Sequence, residues 1–128
     1  MKTLYTTKHA ELIHLTEPHI LYCKWTGPQT HDTIVSTGAV MLSFLQKHQF
    51  TKLLNDNTRI TGPWNASVTW TVETWFPQMF EAGLQYHGWV ISPNIFAKLS
   101  ARRAMPAYNG VQTFHTYQEA YDWLVTVA

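Results

Sequence analysis

Short apolar runs alternate along the chain with longer segments whose apolar positions recur at helical spacing. The runs rich in β-branched and aromatic residues predict strands, and residues 19–25 are the clearest of them, with a stop signal at Gly27-Pro28. The turn signal Glu17-Pro18 separates that strand from residues 11–15, so the two segments predict a hairpin. The predicted strands are residues 11–15, 19–25, 50–56, 86–91 and 111–115, and residues 3–7 are a further extended segment that the predicted order does not count as a strand.

Two longer segments with apolar residues three or four positions apart predict helices between these strands. Thr30 or Asp32 is expected to cap the first helix, and Asn65 is expected to cap the second. Pro77 lies within the second helix, where it removes a backbone hydrogen bond and is expected to kink or split the helix. The predicted inward faces carry Ile34, Gly38, Met41, Leu42 and Leu45 in the first helix, and Val68, Val72, Trp75, Phe76 and Met79 in the second.

Two shorter helices are predicted nearer the C-terminus. Ser92-Pro93 is typical of an N-cap followed by a proline in the first helical position, and predicts a helix through Leu99. Thr116 and Glu119 have the spacing of a capping box at the start of the last helix. The resulting order, ββαβαβαβα, predicts an α/β protein with a mixed, mostly parallel sheet covered by helices and an antiparallel first strand at its edge. We expect residues 1–128 to form a single domain.

Composition narrows the class of protein further. The net charge of +1 gives no electrostatic reason to expect a nucleic-acid partner or an acidic membrane surface. Cys23 is the single cysteine, so no internal disulfide forms, which is compatible with a reducing cytoplasm. The first residues lack the apolar stretch of a signal peptide, and no run reaches the roughly 18 apolar residues of a membrane span. We therefore expect a soluble, cytoplasmic protein.

Several motifs in a fixed order carry a family resemblance. The strand end Leu53-Leu54-Asn55-Asp56 is followed by the aromatic helix Trp70-Thr71-Val72-Glu73-Thr74-Trp75. Further motifs are Gly83 before a strand, Ser92-Pro93 with Phe96-Ala97-Lys98, and the later Phe114-His115-Thr116, Glu119-Ala120 and Trp123-Leu124. In this order, which covers nearly the whole chain, the sequence resembles the SpoIIAA-like, STAS/SEC14-type family of small bacterial domains.

The resemblance implies two kinds of function. One is an anti-sigma-factor antagonist that a partner kinase phosphorylates at a loop-helix junction, and the other is the binding of a lipid or small molecule. The junction here reads Pro63-Trp64-Asn65-Ala66-Ser67, without the acidic residue and the glycine of the phosphorylation motif. Ser67 best matches the modified residue of the family, but the missing motif residues lead us to expect no phosphorylation there.

Residue types that often carry chemistry are scattered through the sequence. The seven histidines form neither an HExxH motif nor a close pair on one helix face, so we expect no metal site and no cofactor. His14 and His19 flank the first turn and can pair across the hairpin. Cys23 lies within an apolar strand, where a thiol is usually buried and unreactive.

Tryptophans and polar residues at strand ends are the remaining candidates for a site. Trp70 and Trp75 are expected to pack in the core or at a dimer contact. Trp25 and Trp64 lie in strand-end loops, and we expect one of them to line a groove. In open parallel sheets ligands bind beyond the carboxyl ends of the strands, where Asp56 and Arg59 either pair or hold a polar ligand. The candidate contacts for a ligand or a partner are Trp25, Asp56, Arg59, Trp64, Ser67, Ser92 and Asn94.

The leading hypothesis is a non-enzymatic, STAS-like interaction module that acts through an unknown protein partner. The large number of aromatic residues also predicts a homodimer through an aromatic surface. The alternative is a domain that binds a small apolar ligand or a lipid in a cleft between the segment from Asp56 to Trp64 and the helix from Ser92 to Leu99. An enzyme centred on the same edge is the third hypothesis, although the sequence assembles no nucleophile, base and oxyanion donor.

Overall fold

A single six-stranded mixed sheet runs through the protein, whose computed structural model describes residues 1–127. The strands lie in sequence order across the sheet, with β1, β2 and β3 antiparallel and β3 to β6 parallel. The predicted α/β class and the antiparallel edge strand are confirmed. The strands are β1 (Lys2–Thr6), β2 (Ala10–Leu15), β3 (Ile20–Gly27), β4 (Lys52–Ile60), β5 (Tyr86–Val90) and β6 (Val111–Phe114).

The predicted element order was one strand short, because three strands rather than two precede the first helix. Residues 2–6 pair with β2 along its whole length and form a strand of their own. A local turn makes this possible, since the Thr7 hydroxyl accepts hydrogen bonds from the backbone N–H groups of His9 and Ala10, both at 3.1 Å. The reversal at Thr7 therefore separates two strands that the sequence pattern did not count separately.

Four helical segments cover the sheet. The first three helices pack with Leu21, Leu53 and Trp89 on one face, and the last packs with Ile20, Leu54 and Val90 on the other. None of the helices among residues 1–127 has the length and apolar content that crossing a bilayer requires. The segments are α1 (His31–His48), α2 (residues 65–81), α3 (Ile95–Arg103) and α4 (Tyr117–Thr126).

Two of the predicted helix starts are confirmed. The Thr30 hydroxyl accepts the backbone N–H of Thr33, and the Thr33 side chain accepts the backbone N–H of Thr30, so Thr30 rather than Asp32 caps α1. Thr116 caps α4 by accepting the backbone N–H of Glu119 at 3.2 Å. Both caps satisfy backbone donors that have no partner within the helix.

The other two predicted caps were wrong. Asn65 is the first residue of α2, and its side-chain oxygen accepts hydrogen bonds from Ser100 at 2.9 Å and Arg103 at 3.2 Å. The α2 entrance is held instead by Ser100 of α3, whose hydroxyl accepts the backbone N–H of Trp64. A partner from another helix is invisible to a local sequence pattern.

The start of α3 differs in a similar way. Asn94, not Ser92, is its N-cap, with the side-chain oxygen accepting the N–H groups of Phe96 and Ala97, both at 3.1 Å. Ser92 is drawn away because its hydroxyl donates to the carbonyl of Ile60 at 2.8 Å. The helix also continues past the predicted end at Leu99 to Arg103.

Pro77 interrupts α2 as predicted. The segment begins as a 3-10 turn (Asn65–Ser67), continues as a short α-helix (Val68–Trp70), widens into a π-helix (Thr71–Trp75) and returns to α-helix (Phe76–Glu81). The π-helical residues lie immediately before Pro77, where the proline has no N–H to donate and its ring crowds the preceding turn. A wider turn relieves that crowding without ending the helix.

Candidate functional site

A partly open cavity lies between the sheet and the helices α1 and α2, and five of the six tryptophans line it. Its volume, measured as the space open to the centre of a water molecule, is about 40 Å³. We call it the tryptophan cavity. It is lined by Trp25, Ile34, Gly38, Met41, Asn55, Asn57, Ile60, Trp64, Trp70, Thr71, Trp75 and Trp89.

The floor of the tryptophan cavity is formed by the carboxyl-terminal halves of three parallel strands. Trp25 lies near the end of β3, Asn55 and Asn57 belong to β4, and Trp89 belongs to β5. Asn55 and Asn57 are two residues apart, so they face the same side of the sheet. The Asn55 side-chain oxygen accepts the indole N–H of Trp25 at 2.7 Å, which ties two parts of the floor together.

Helices α1 and α2 form the roof, and their close approach depends on Gly38. A Cβ atom at this position would lie 2.7 Å from the Trp70 ring and 3.0 Å from the Trp75 ring. On a regular helix, Trp70 and Trp75 would project about 140° apart. The π-helical turn between them has hydrogen bonds from residue i to i+5, which brings residues five positions apart back toward one side. Both tryptophans consequently line the cavity.

Two indole N–H groups of the cavity wall have no hydrogen-bond partner among residues 1–127. They belong to Trp64 and Trp89, which are buried and have ring centroids 6.4 Å apart. The Trp75 N–H, in contrast, donates to the carbonyl of Gly38 at 3.3 Å. Buried donors without a partner are rare and costly in folded proteins. Two of the tryptophans that line the cavity therefore carry a buried donor that no acceptor among the described residues uses.

His87 lies beside the cavity wall without lining it. Its ring is fully buried, with centroids 5.9 Å from Trp75, 5.3 Å from Phe76 and 5.4 Å from Trp89, and neither ring nitrogen has a partner among the described residues. Burial lowers the pKa of His87 to about 3, because the aromatic surroundings disfavour the charged imidazolium. His87 is thus a neutral core residue in the folded state at physiological pH.

The opposite face of the same strand ends carries a more polar, open groove. Asp56 lies there between Tyr22 and Thr58, whose side chains both donate to its carboxylate, as does the backbone N–H of Thr58 at 2.9 Å. Burial, and next the nearby Asp56 carboxylate, raise the pKa of Tyr22 far above its ordinary value. Burial likewise raises the pKa of Tyr117. Both carboxylate oxygens of Asp56 therefore already accept hydrogen bonds from neighbouring residues.

Trp25 and Trp64 both line the tryptophan cavity, whereas the sequence led us to expect only one of them in a groove. Asp56 and Arg59 border the groove on the other face and do not contribute to the cavity. Both were expected to lie near a loop, but β4 continues through Ile60 because Arg59 pairs with Thr26 across a register shift in β3. Sequence pattern alone placed the end of this strand too early.

The remaining predicted site residues support neighbouring backbone. Ser67 is 1% exposed, and its hydroxyl lies 3.0 Å from the Nδ1 atom of His31. Neither a kinase nor a substrate reaches so buried a hydroxyl. Ser92 and Asn94 hold the connection between β5 and α3, and Asn94 also accepts the backbone N–H of Gly62 at 3.3 Å.

Three histidines meet at the other end of the sheet. His14 and His19 pair across the hairpin as predicted, with 2.9 Å between Nε2 and Nδ1, and His19 also donates to the carbonyl of His48. Burial, followed by the charges of His19 and His48, lowers the pKa of His14. Within residues 1–127, no group of three or more His, Cys, Asp or Glu side chains is arranged to hold a metal ion.

Exposed apolar side chains concentrate on α3 and the segment after it. Of the seven large apolar residues that are exposed among residues 1–127, five lie between residues 95 and 108. We call this surface the α3 patch. It comprises Ile95, Phe96, Leu99, Met105 and Tyr108.

Sequence reasoning missed most of the cavity wall. Trp70 and Trp75 were assigned to the core or a dimer contact, and Asn55, Asn57 and Trp89 were not considered for a site. One signal was present: Asn55 and Asn57 are polar residues at alternating, buried positions directly after the apolar pair Leu53-Leu54. An amide directed into a core needs a partner or a ligand.

Comparison of the chain with protein-family models, with curated proteins and with solved structures finds no match.

Proposed function

We propose that this protein binds a small, largely apolar molecule in the tryptophan cavity. The observation that carries the proposal is the convergence of five tryptophans on one cavity, two of them with unused donors. The tryptophans come from β3, α2, β5 and the loop before α2. Ligand pockets typically combine aromatic walls with a few well-placed polar groups. A tightly packed core would have no reason to retain both the space and the free donors.

Binding without chemistry is favoured by the composition of the wall. The twelve lining residues include no ionisable side chain and no serine or cysteine. Their single hydroxyl, on Thr71, already donates to the carbonyl of Ser67 at 2.8 Å. General acid-base and nucleophilic catalysis need titratable or activated groups within hydrogen-bond reach of the substrate. A carrier, sensor or scavenger role needs none.

The half-buried Trp70 is the best candidate for the entrance. The other four tryptophans of the cavity are buried, whereas Trp70 is partly exposed and lies at the α1–α2 contact. A cavity of about 40 Å³ holds about three water molecules, so a larger ligand must displace part of the wall. Movement of the Trp70 ring away from Gly38 would enlarge the cavity, and it would cost the least buried contact because Trp70 is already partly exposed.

Native mass spectrometry of the protein purified from its own cells tests this proposal directly, because a bound molecule adds a defined mass. Intrinsic fluorescence gives a second readout, since five of the six tryptophans line the cavity. Trp70→Ala is expected to change the fluorescence response to the released ligand. Trp123→Phe, on the opposite face of the sheet, is the matched control and should preserve that response. Absence of both an added mass and any response to the cellular small-molecule extract would refute the proposal.

A second candidate function is an interaction module of STAS-like type, and the α3 patch is the observation that favours it. The patch is bordered by Lys98, Arg102 and Arg103, and the sequence has no Asp or Glu from residue 82 to residue 118. An acidic protein partner with apolar anchors therefore fits this surface. A two-fold dimer through the same patch would bring like charges together.

The homodimer expected from the aromatic content stays a prediction, but few aromatic residues are exposed to form such an interface. Of the eighteen aromatic residues, only Phe96 and Tyr108 are exposed, because the core and the tryptophan cavity take up the others. Analytical ultracentrifugation of the protein and of Phe96→Glu decides the point. A dimer that dissociates in the Phe96→Glu variant would support self-association through the α3 patch. A monomeric unaltered protein would favour an acidic protein partner instead. The resemblance to SpoIIAA-like domains likewise stays a prediction.

A further inference from the structure

The hydrogen-bonding groups of the tryptophan cavity are unevenly used. Trp25 donates to the Asn55 side chain at 2.7 Å and Trp75 donates to the carbonyl of Gly38 at 3.3 Å, so the fold satisfies two of the buried indoles. Trp64 and Trp89 are equally buried and have no acceptor among residues 1–127. The Trp64 and Trp89 donors therefore lack an acceptor that the fold supplies to Trp25 and Trp75.

The wall of the tryptophan cavity carries no charge. No ionisable group lines the cavity, and the buried His87 beside its wall stays neutral among aromatic rings. An ion buried without a counter-charge is strongly disfavoured. The face of an aromatic ring attracts cations, but the indole N–H is the positive edge of the ring and repels them. Two such edges without partners favour a neutral ligand with lone pairs.

We propose that the ligand of the tryptophan cavity is a small, flat, neutral molecule with a hydrogen-bond acceptor, such as a carbonyl oxygen or an unprotonated ring nitrogen, that accepts from the N–H groups of Trp64 and Trp89. This inference rests on the function proposed above and narrows it to a chemical class. The aromatic walls take up the flat apolar part of the ligand. The two indole donors select the acceptor, because an analogue without it leaves both of them unpaired.

The test uses pairs of probes that match in size and differ in the acceptor. One pair is cyclopentanone and cyclopentane, the other is pyridine and benzene, and all are measured at pH 8, where pyridine is neutral. Binding is followed by the indole ¹H–¹⁵N resonances of the labelled protein, assigned through Trp64→Phe, Trp89→Phe and Trp123→Phe. We expect the acceptor probes to bind at least about tenfold more tightly than the hydrocarbons and to shift the Trp64 and Trp89 resonances downfield. The Trp123 resonance should not move.

The variants sharpen the result without requiring full stability. Trp64→Phe and Trp89→Phe keep an aromatic ring but remove one donor each, so either variant that folds should discriminate less between the two members of a pair. Trp123→Phe should discriminate as well as the unaltered protein. If neither donor variant folds, the relative affinities of the matched probes for the unaltered protein decide the question.

Each outcome separates the ligand class from the existence of the site. Equal affinity for the acceptor probes and the hydrocarbons would overturn the acceptor proposal and leave a ligand cavity in place. Preference for tetramethylammonium, included as a cationic probe, would overturn it in favour of a cation site. If no probe changes any indole resonance, both the acceptor proposal and the proposed function fall.

Discussion

The two faces of β4 treat their polar residues in opposite ways. On one face Asp56 is surrounded by donors from Tyr22 and Thr58 that satisfy its carboxylate. On the other face Asn55 satisfies Trp25, while the neighbouring donors of Trp64 and Trp89 have no acceptor among the described residues. These two environments belong to the same strand end and are separated only by the thickness of the sheet.

This difference indicates which face of β4 is better suited to bind a ligand. A polar group that is already paired gains little from a ligand, because binding would first have to break its existing hydrogen bonds. An unpaired buried donor has already lost its contact with water, so an incoming acceptor meets no competitor. The groove beside Asp56 is therefore a stabilising contact, and the tryptophan cavity is the better candidate for function. Four experiments test this contrast between the two faces.

The cavity face should be the first to fail in acid. His87 has a pKa of about 3 in the folded protein, whereas an unfolded histidine titrates near 6.5, so its contribution to stability is present above about pH 6.5 and lost as the pH falls toward 3. The free energy of unfolding should drop by about 1.4 kcal/mol per pH unit in that window, or about 3 kcal/mol at pH 4.5. Denaturant melts across pH measure this slope. His87→Leu should flatten it and His115→Leu, at an exposed position, should not; identical slopes in both variants would contradict the assignment.

The roof of the cavity should not tolerate a methyl group. Gly38→Ala should destabilise the protein by about 2 kcal/mol, because the new Cβ meets the rings of Trp70 and Trp75. This loss outweighs the gain of about 1 kcal/mol that alanine normally brings to a helix. Thermal unfolding monitored by tryptophan fluorescence reports both the stability and the displaced rings. Gln46→Ala at an exposed position of α1 is the control, and a Gly38→Ala protein as stable as that control would show that the roof has room to spare.

The Asp56 face should fail in alkali instead. Tyr22→Phe removes a donor to the carboxylate and should cost about 1 kcal/mol at neutral pH. Because burial and the Asp56 charge raise the pKa of Tyr22, its contribution is present below about pH 10, where an unfolded tyrosine titrates, and is lost as the pH rises further. Melts at increasing alkaline pH should therefore converge for the protein and Tyr22→Phe. Tyr108→Phe, on the exposed surface, should melt in parallel with the unaltered protein; if Tyr22→Phe does the same, Tyr22 does not make this contribution.

The smallest effect concerns a reaction rate. Cys23 lies in the core on the cavity side of β3, fully buried, and burial raises the pKa of its thiol well above the ordinary value. Thiol-reactive reagents need the exposed thiolate, so labelling should be slow in the native state and fast in denaturant. Ellman-type labelling with and without denaturant measures the ratio. Rapid stoichiometric labelling of the folded protein would mean that the cavity side of the sheet opens readily to solvent.

Local sequence signals determined much of the fold. The alternation of apolar runs and helical spacing specifies the strands and helices, since each element must bury one face. Thr30 and Thr116 specify their helix starts because the donors that they satisfy lie within three residues. Pro77 specifies an interruption for an equally local reason, the loss of its own N–H.

Only the tertiary structure decided where the tryptophans meet. Trp25, Trp64 and Trp89 are far apart in sequence, and the parallel order of the strands together with the α1–α2 contact at Gly38 brings them to one cavity. Which donors remain unpaired was also undetermined by sequence, because the acceptors come from distant elements: Asn55 serves Trp25, and Gly38 serves Trp75. A pattern reports which side of an element is buried. Hydrogen-bond partners and empty space depend on distances between elements, which only the packed chain fixes.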